Sequence, residues 1–310
     1  MIIRLWFRVF FSVLLFILID GSFLAGVEGN DITLKGLKFF KQRKLEWCGP
    51  AIMQTVLNYY GIKESQEEIA RRIWNPEEKV AKLSEMVYYP REKGLKSYSF
   101  EGSAEIIREL LSQGIPVIVF QRASKKVNKG HYRIVTGYKG DELIFYDPLL
   151  GKKVKSKAEE FTELWEFGGE KHWGLIVVRD DDSLDDNLKD NEIYYRDMAR
   201  ALLRRKKFEQ SRWFWEKALE KARRASYLYG MAFTHLQEGN LKLAENFATE
   251  AINIEPDNPF CYAVMAEMEY KRGNYEKALD LIHKARKLSD DEYFKRKYET
   301  WLIKYKEGRK

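Results

Sequence analysis

A self-similarity at a spacing of 34 residues constrains the fold of this 310-residue chain more than any other feature. Ala232, Gly239, Ala244, Ala251 and Pro256 recur 34 residues later as Ala266, Gly273, Ala278, Ala285 and Asp290, and Leu241 recurs as Tyr275. A more degenerate copy lies upstream. Ala199, Phe208, Ser211 and Ala218 stand 67 residues before Ala266, Tyr275, Ala278 and Ala285. Small side chains at fixed offsets let two helices cross closely, and a proline cannot continue the second of them. One such hairpin cannot bury its apolar face alone, so the copies must stack. The spacing predicts three helical hairpins over residues 193–310, closed by an amphipathic helix from Tyr293 to Tyr305.

Residues 36–179 follow another rule. Ile52, Val56, Leu57 and Tyr60 form one helical stripe stopped by Gly61. Ser65 and Glu68 make a capping box ahead of Ile69 to Trp74, and Ser103 can cap Ala104 to Ser112. The period then changes. Ile115 to Gln121 reads as a buried strand, and His131 to Tyr138 and Glu142 to Tyr146 as a hairpin about Lys139-Gly140-Asp141. Trp173 to Val178 is a last apolar strand. Helices first and an antiparallel sheet afterwards predict an α+β domain. Residues 180–192, opening on Asp180, Asp181 and Asp182, hold too little apolar content to pack and read as a solvated acidic linker.

The N-terminus reads as an address. Arg4 and Arg8 lead into an apolar run from Val9 to Ile19, followed by Ser22, Ala25 and Gly26. That layout predicts a secretory signal peptide or an uncleaved signal anchor over residues 1–29. The expected location is therefore outside the cytoplasm, periplasmic or extracellular, with membrane tethering only if the signal stays uncut. Val27 stands where a lipid-bearing cysteine would be needed, so no lipid anchor is expected. Apolar residues at 45% and aromatics at 14% support packed cores and exclude a disordered chain. A net charge of +7 is modest for this length and gives no ground for a nucleic-acid partner. Two cysteines and four scattered histidines argue against a metal centre, and no cofactor is expected.

The chemistry concentrates before residue 150. Cys48-Gly49-Pro50 opens a helix, where unpaired backbone N–H groups and the positive end of the helix dipole favour a thiolate. Gln42 lies six residues upstream. His131 begins a strand and Asp147 ends the next, so their side chains can meet at one end of the sheet. Acyl transfer needs these parts: Cys48 as nucleophile, His131 as general base and then acid, and Asp147 to hold the imidazole tautomer. The Gln42 amide and the Cys48 backbone N–H would supply donors to the oxyanion. Cys261 and the histidines at 235 and 283 fall on repeat helices, where packing is the expected role. His172 lacks an acidic partner across a hairpin. Asp147, which precedes Pro148, also suits a plain turn residue.

Gln42, Cys48-Gly49-Pro50-Ala51, Gly130-His131-Tyr132 and Tyr146-Asp147-Pro148 together resemble cysteine peptidase family thirty-nine, the papain-like, bacteriocin-processing peptidases that cut after a double glycine. Carried over residue by residue, the resemblance implies Cys48 as nucleophile, His131 as base, Asp147 as orienting acid and Gln42 as oxyanion donor. Trp47 stands where those leader peptidases carry an acidic residue. The 34-residue period resembles the tetratricopeptide repeat. The expected architecture is thus an α+β papain-like cysteine peptidase domain followed by an all-α tetratricopeptide-repeat solenoid, closest to the exported stand-alone branch.

The repeats are expected to bind rather than catalyse. Their register sets Arg196, Arg200 and Arg204, with Tyr229, Phe233 and Tyr270, on one inner face. Such a basic, aromatic groove suits an extended protein partner of acidic or C-terminal carboxylate character. The leading functional expectation is an exported cysteine peptidase hydrolysing a peptide bond, with repeats that recruit its protein substrate or partner. Two others stay open: a catalytically inactive papain-like module that binds peptides, and a scaffold whose repeats carry the function.

Overall fold

The computed structural model describes residues 31–307 apart from Asp182 and Asp291, so the expected signal over residues 1–29 lies outside the described residues. The chain enters through strand β1 (Ile32–Thr33) and an extended run to helix α1 (Cys48–Tyr59). Helix α2 (Gln66–Ile73) starts at the expected capping box, in which Ser65 and Glu68 satisfy each other's backbone N–H. A small hairpin of β2 (Trp74–Asn75) and β3 (Val80–Ala81) leads to helix α3 (Leu83–Glu92), strand β4 (Lys96–Glu101) and helix α4 (Ala104–Ser112). Strands β5 (Val117–Ser124), β6 (Val127–Lys139), β7 (Glu142–Asp147) and β8 (Lys152–Lys157) then form an antiparallel meander. Helix α5 (Ala158–Leu164), a second small hairpin of β9 (Glu166–Phe167) and β10 (Glu170–Lys171), and strand β11 (Trp173–Val178) complete the α+β part.

The main sheet has seven strands in the order β4-β11-β5-β6-β7-β8, with β1 added beside β6. Strand β11 returns to pair between β4 and β5 and is buried along its whole length, which is why it reads as an unbroken apolar run. At the opposite edge, β8 carries Lys152, Lys153, Lys155 and Lys157, charges that discourage pairing with another chain. Helix α1 lies over β6, and its Ile52, Val56 and Leu57 join the core beneath the sheet.

Seven helices follow the short α6 (Asp186–Lys189): α7 (Glu192–Arg204), α8 (Phe208–Lys221), α9 (Ala225–Glu238), α10 (Leu241–Ile254), α11 (Pro259–Lys271), α12 (Tyr275–Leu288) and α13 (Glu292–Glu307). Helices α7/α8, α9/α10 and α11/α12 pair as hairpins, with α13 against the last. The nine small residues in register (Ala199, Ala232, Ala266; Ser211, Ala244, Ala278; Ala218, Ala251, Ala285) are all fully buried. Gly239 and Gly273 end α9 and α11 in the left-handed conformation, at φ 90° and 82°. Lys206 stands at the same register in the degenerate copy and holds a positive φ of 56° without being glycine. The all-α part is therefore a tetratricopeptide-like solenoid.

The seam between the two parts departs from the expected solvated linker. Asp181 accepts from Lys96 and from the Tyr98 hydroxyl, and Leu184 is buried. Leu184, Tyr194, Met198 and Leu202 belong to the same apolar core as the sheet. Side chains from α7 thus continue the first core across the sequence boundary, because its apolar stripe faces α3 and β4.

Candidate active site

The site begins at the N-terminus of α1. Trp47 is the N-cap residue and makes no side-chain capping bond, so the first-turn N–H groups are left to an outside acceptor. Gly49 is required there. A Cβ on it would lie 2.5 Å from that of Ala81, because β3 runs close beneath the helix start. The Trp47 ring is buried, with the Lys44 ammonium 4.4 Å above it and Trp74 edge-on at 6.4 Å.

His131 lies on β6 and Asp147 at the end of β7. Extending the β6–β7 register one step beyond Ile134↔Tyr146 sets Arg133 opposite Asp147, with His131 two residues further on the same strand face. His131 Nε2 meets Asp147 Oδ1 at 3.0 Å, and Cys48 lies close enough to act on the imidazole. With Nε2 occupied by the carboxylate, the Cys48 thiol falls to Nδ1. Burial disfavours the charged ring. The hydrogen bonds and charges of Asp147 and Cys48 outweigh it and raise His131 to about 9. Burial likewise raises the Asp147 carboxyl, but His131 and Arg133 prevail and hold it well below the ordinary carboxylate range.

Asp147 makes the contacts of both readings that the sequence left open, to the imidazole and to its own turn. Its Oδ1 also accepts the N–H groups of Leu149 and Leu150, as a turn residue's would, at 2.9 and 3.2 Å. Its Oδ2 takes the Nε of Arg133 at 2.9 Å. Arg133 is buried, spends its Nη groups on the carbonyls of Arg122 and Ala123, and is the site residue that sequence reasoning missed. The alternation of a strand, which puts His131 and Arg133 on one face, was the signal available.

Gln42 is buried beside this cluster but is not placed as a free oxyanion donor. Its Nε2 donates to the carbonyls of Lys44, at 2.9 Å, and Leu45. An inverted amide would set oxygen against oxygen there, so the orientation is chemically fixed. Its backbone N–H bonds the carbonyl of Pro148 at 2.9 Å, tying the approach to Cys48 to the turn that carries Asp147. Gln66, also unanticipated, clamps either side of Gln42: its Oε1 accepts from Arg43 N–H at 3.0 Å, and its Nε2 donates to Lys41 carbonyl at 2.9 Å. Gln42 thus locks the loop, and the donors left for an oxyanion are the uncapped N–H groups at Cys48 and Gly49.

The remaining candidates separate. Arg200, Arg204, Tyr229 and Phe233 line one cleft of about 1000 Å³. Arg196 does not join them. It is buried in the seam, 2.8 Å from Glu170 and 3.0 Å from Asp197, so its charge is spent within the protein. Tyr270 stacks on Trp301 at 4.9 Å in the last repeat's core. Cys261 is fully buried, and burial pushes its thiol up to about 12. His172 packs on Trp165, His235 stacks on Phe247, and His283 lies against Tyr298. Both cysteines are free thiols, and among the described residues no His, Cys, Asp and Glu cluster could hold a metal.

A cysteine at a helix start beside a histidine that is bonded to an aspartate, on an α+β scaffold, is an arrangement of the kind thiol peptidases use. Residues 34–171 match the model of the Peptidase_C39 like family, so the first domain has the papain-like fold of that family. Among solved structures, the peptidase domain of Streptococcus ComA, a bifunctional ABC transporter of a quorum-sensing pathway, is 20% identical. The match covers 47% of this chain and 100% of that one, at a TM-score of 0.40. A double-glycine-motif protease from an AMS/PCAT transporter, solved with its leader peptide, is 19% identical over 48% of this chain and 96% of that one, at 0.39. The Sgt2 tetratricopeptide-repeat domain of Aspergillus fumigatus is 19% identical over 38% of this chain and 81% of that one, at 0.35. No curated protein matches the chain.

Proposed function

We infer that this protein is a cysteine peptidase that cuts a peptide bond through a thioester. The thiol proton passes to His131 Nδ1, giving the imidazolium that the raised ring value favours, and Cys48 Sγ attacks the carbonyl carbon. The tetrahedral oxyanion is met by the N–H groups at the start of α1. His131 then returns the proton to the leaving amine as the C–N bond breaks, and a water activated by the same ring hydrolyses the thioester. Asp147, held by four donors, keeps Nε2–H pointed at itself and so keeps Nδ1 toward sulfur. The observation that carries this reading is the His131–Asp147 hydrogen bond, with Cys48 beside the imidazole at a helix start without a side-chain cap. The proposal includes export, expected from residues 1–29, and recruitment of a protein substrate by the repeats.

Iodoacetamide labelling of Cys48 at pH 6.5, in a Cys261→Ala background, tests it. Cys48 that has passed its proton to His131 reacts faster than the same residue in the His131→Ala chain, by on the order of 100-fold. Equal rates in the two chains would leave an inactive peptide-binding module as the better reading.

A further inference from the structure

We propose that the first two repeats form one wall of the substrate cleft, and that Arg200 and Arg204 select substrates carrying carboxylate side chains near the bond that is cut. This rests on the peptidase reading and adds the substrate's chemistry to it. The cleft of about 1000 Å³ has Ala81 and Tyr132 on the catalytic side and Arg200, Arg204, Tyr229 and Phe233 on the repeat side. Two of its lining residues pack against Gly49, the neighbour of Cys48. Ala81 is the residue against which Gly49 packs, and Tyr132, which follows His131, lies 3.4 Å from the position of a Gly49 Cβ.

The arginines at the inner end of α7 divide into two pairs by how they are spent. Arg196 and Arg205 hold the seam: Arg196 on Glu170 and Asp197, Arg205 on Glu85 at 2.9 Å and Glu92 at 3.2 Å. Arg200 and Arg204 line the cleft and keep 40% and 42% of their side-chain surface exposed. Their nearest carboxylates are 3.9 and 3.8 Å away, beyond hydrogen-bond reach, and no guanidinium hydrogen bond of either occurs among the described residues. Lining charges are Lys82, Arg200, Arg204 and Lys206 against Glu78 and Glu170, a net +2.

Spacing narrows the ligand further. Residues i and i+4 on a helix face stand about 5–6 Å apart. Alternate side chains on one face of an extended chain stand about 6.6 Å apart. An extended segment with acidic residues at alternate positions therefore presents one carboxylate to each guanidinium. Tyr229 and Phe233, stacked with ring centres 6.1 Å apart, give the intervening side chains an apolar surface.

The test uses the full chain with Cys48→Ala and a fluorescein-labelled Gly-Glu-Phe-Glu-Leu-Glu-Gly peptide with both ends blocked, against the same peptide with Lys for Glu. Fluorescence anisotropy is expected to show binding of the acidic probe alone, weakened about ten-fold by Arg200→Gln with Arg204→Gln and by added salt. In the chain that retains Cys48, the acidic probe is expected to slow iodoacetamide labelling. Equal binding of both probes, indifference to the double substitution, binding only with an unblocked C-terminus, or binding that leaves labelling unchanged each overturns the proposal. Anisotropy needs no thiol, so acidic-probe binding that the double substitution weakens keeps its meaning even where an unreactive Cys48 sinks the peptidase reading.

Discussion

Four hydrogen bonds converge on the two carboxylate oxygens of Asp147, and that saturation explains why a residue at a turn can also fix the His131 ring. The N–H groups of Leu149 and Leu150 anchor the carboxylate to its own turn, so His131 meets an acceptor that cannot rotate away. Arg133 balances part of the buried negative charge. Replacing it by Met removes that balance, so the charge of Asp147 acts on His131 undiminished. An NMR titration of the His131 ring should show its midpoint rise above about 9 in Arg133→Met and stay near it in Arg133→Lys; a fall in Arg133→Met would contradict this account. The raised His131 value also ties folding to pH. Its contribution is complete below about pH 6.5, the ordinary imidazole value, and is lost as pH climbs through about 9. The depressed Asp147 works in the opposite sense, stabilising above about pH 3.9 and fading as the solution becomes more acid.

Elements whose pattern matched one period were legible from sequence, and those built on exceptions were not. Helix α1, the α2 capping box, the Ser103-capped α4, the β6–β7 hairpin and β11 all follow simple apolar periods or caps. Strand β8 was invisible because an edge strand favours the lysines that hide it. Strand β4 was hidden by Ser97 and Ser99, which are fully buried because helices pack tightly on that face. Helix α3 carries Pro90 in its last turn, and proline argues against a helix when the neighbours are unknown. Tight packing also governs the start of α1. Gly49→Ala should cost about 1–3 kcal/mol in denaturant unfolding, despite alanine's better helix propensity, because the new methyl meets Ala81. An unchanged midpoint would show that β3 yields freely.

Across the whole molecule, the papain-like part and the repeats are joined by a buried polar knot within a shared apolar core. Trp173 Nε1 donates to Asp197 Oδ2 at 2.8 Å, and Arg196 spans Asp197 and Glu170. Asp197→Ala would strand the Trp173 indole N–H and leave Arg196 with Glu170 as its one carboxylate, at a cost of about 1–3 kcal/mol. Calorimetry should show the transition of the papain-like part move down together with that of the repeats; a shift confined to the repeats would mean that the two parts melt independently. The cleft depends on the same knot, since α7 can form its wall only while held against α3 and β4.

What the sequence determined by itself is whatever a local rule encodes: the helical hairpins and their register, the strand hairpin, and the candidate Cys48, His131 and Asp147. Periodicity, capping and spacing along one strand are properties of neighbours in the chain. Tertiary structure decided the rest. It turned Gln42 to its own loop's carbonyls, spent Arg196 on the seam, brought Arg133 and Gln66 to the site, and joined α7 to the sheet's core. The Gln42 amide finds its carbonyls within its own loop, but the others are settled with partners distant in sequence, where burial forces every charge and donor to find a match that no local pattern announces.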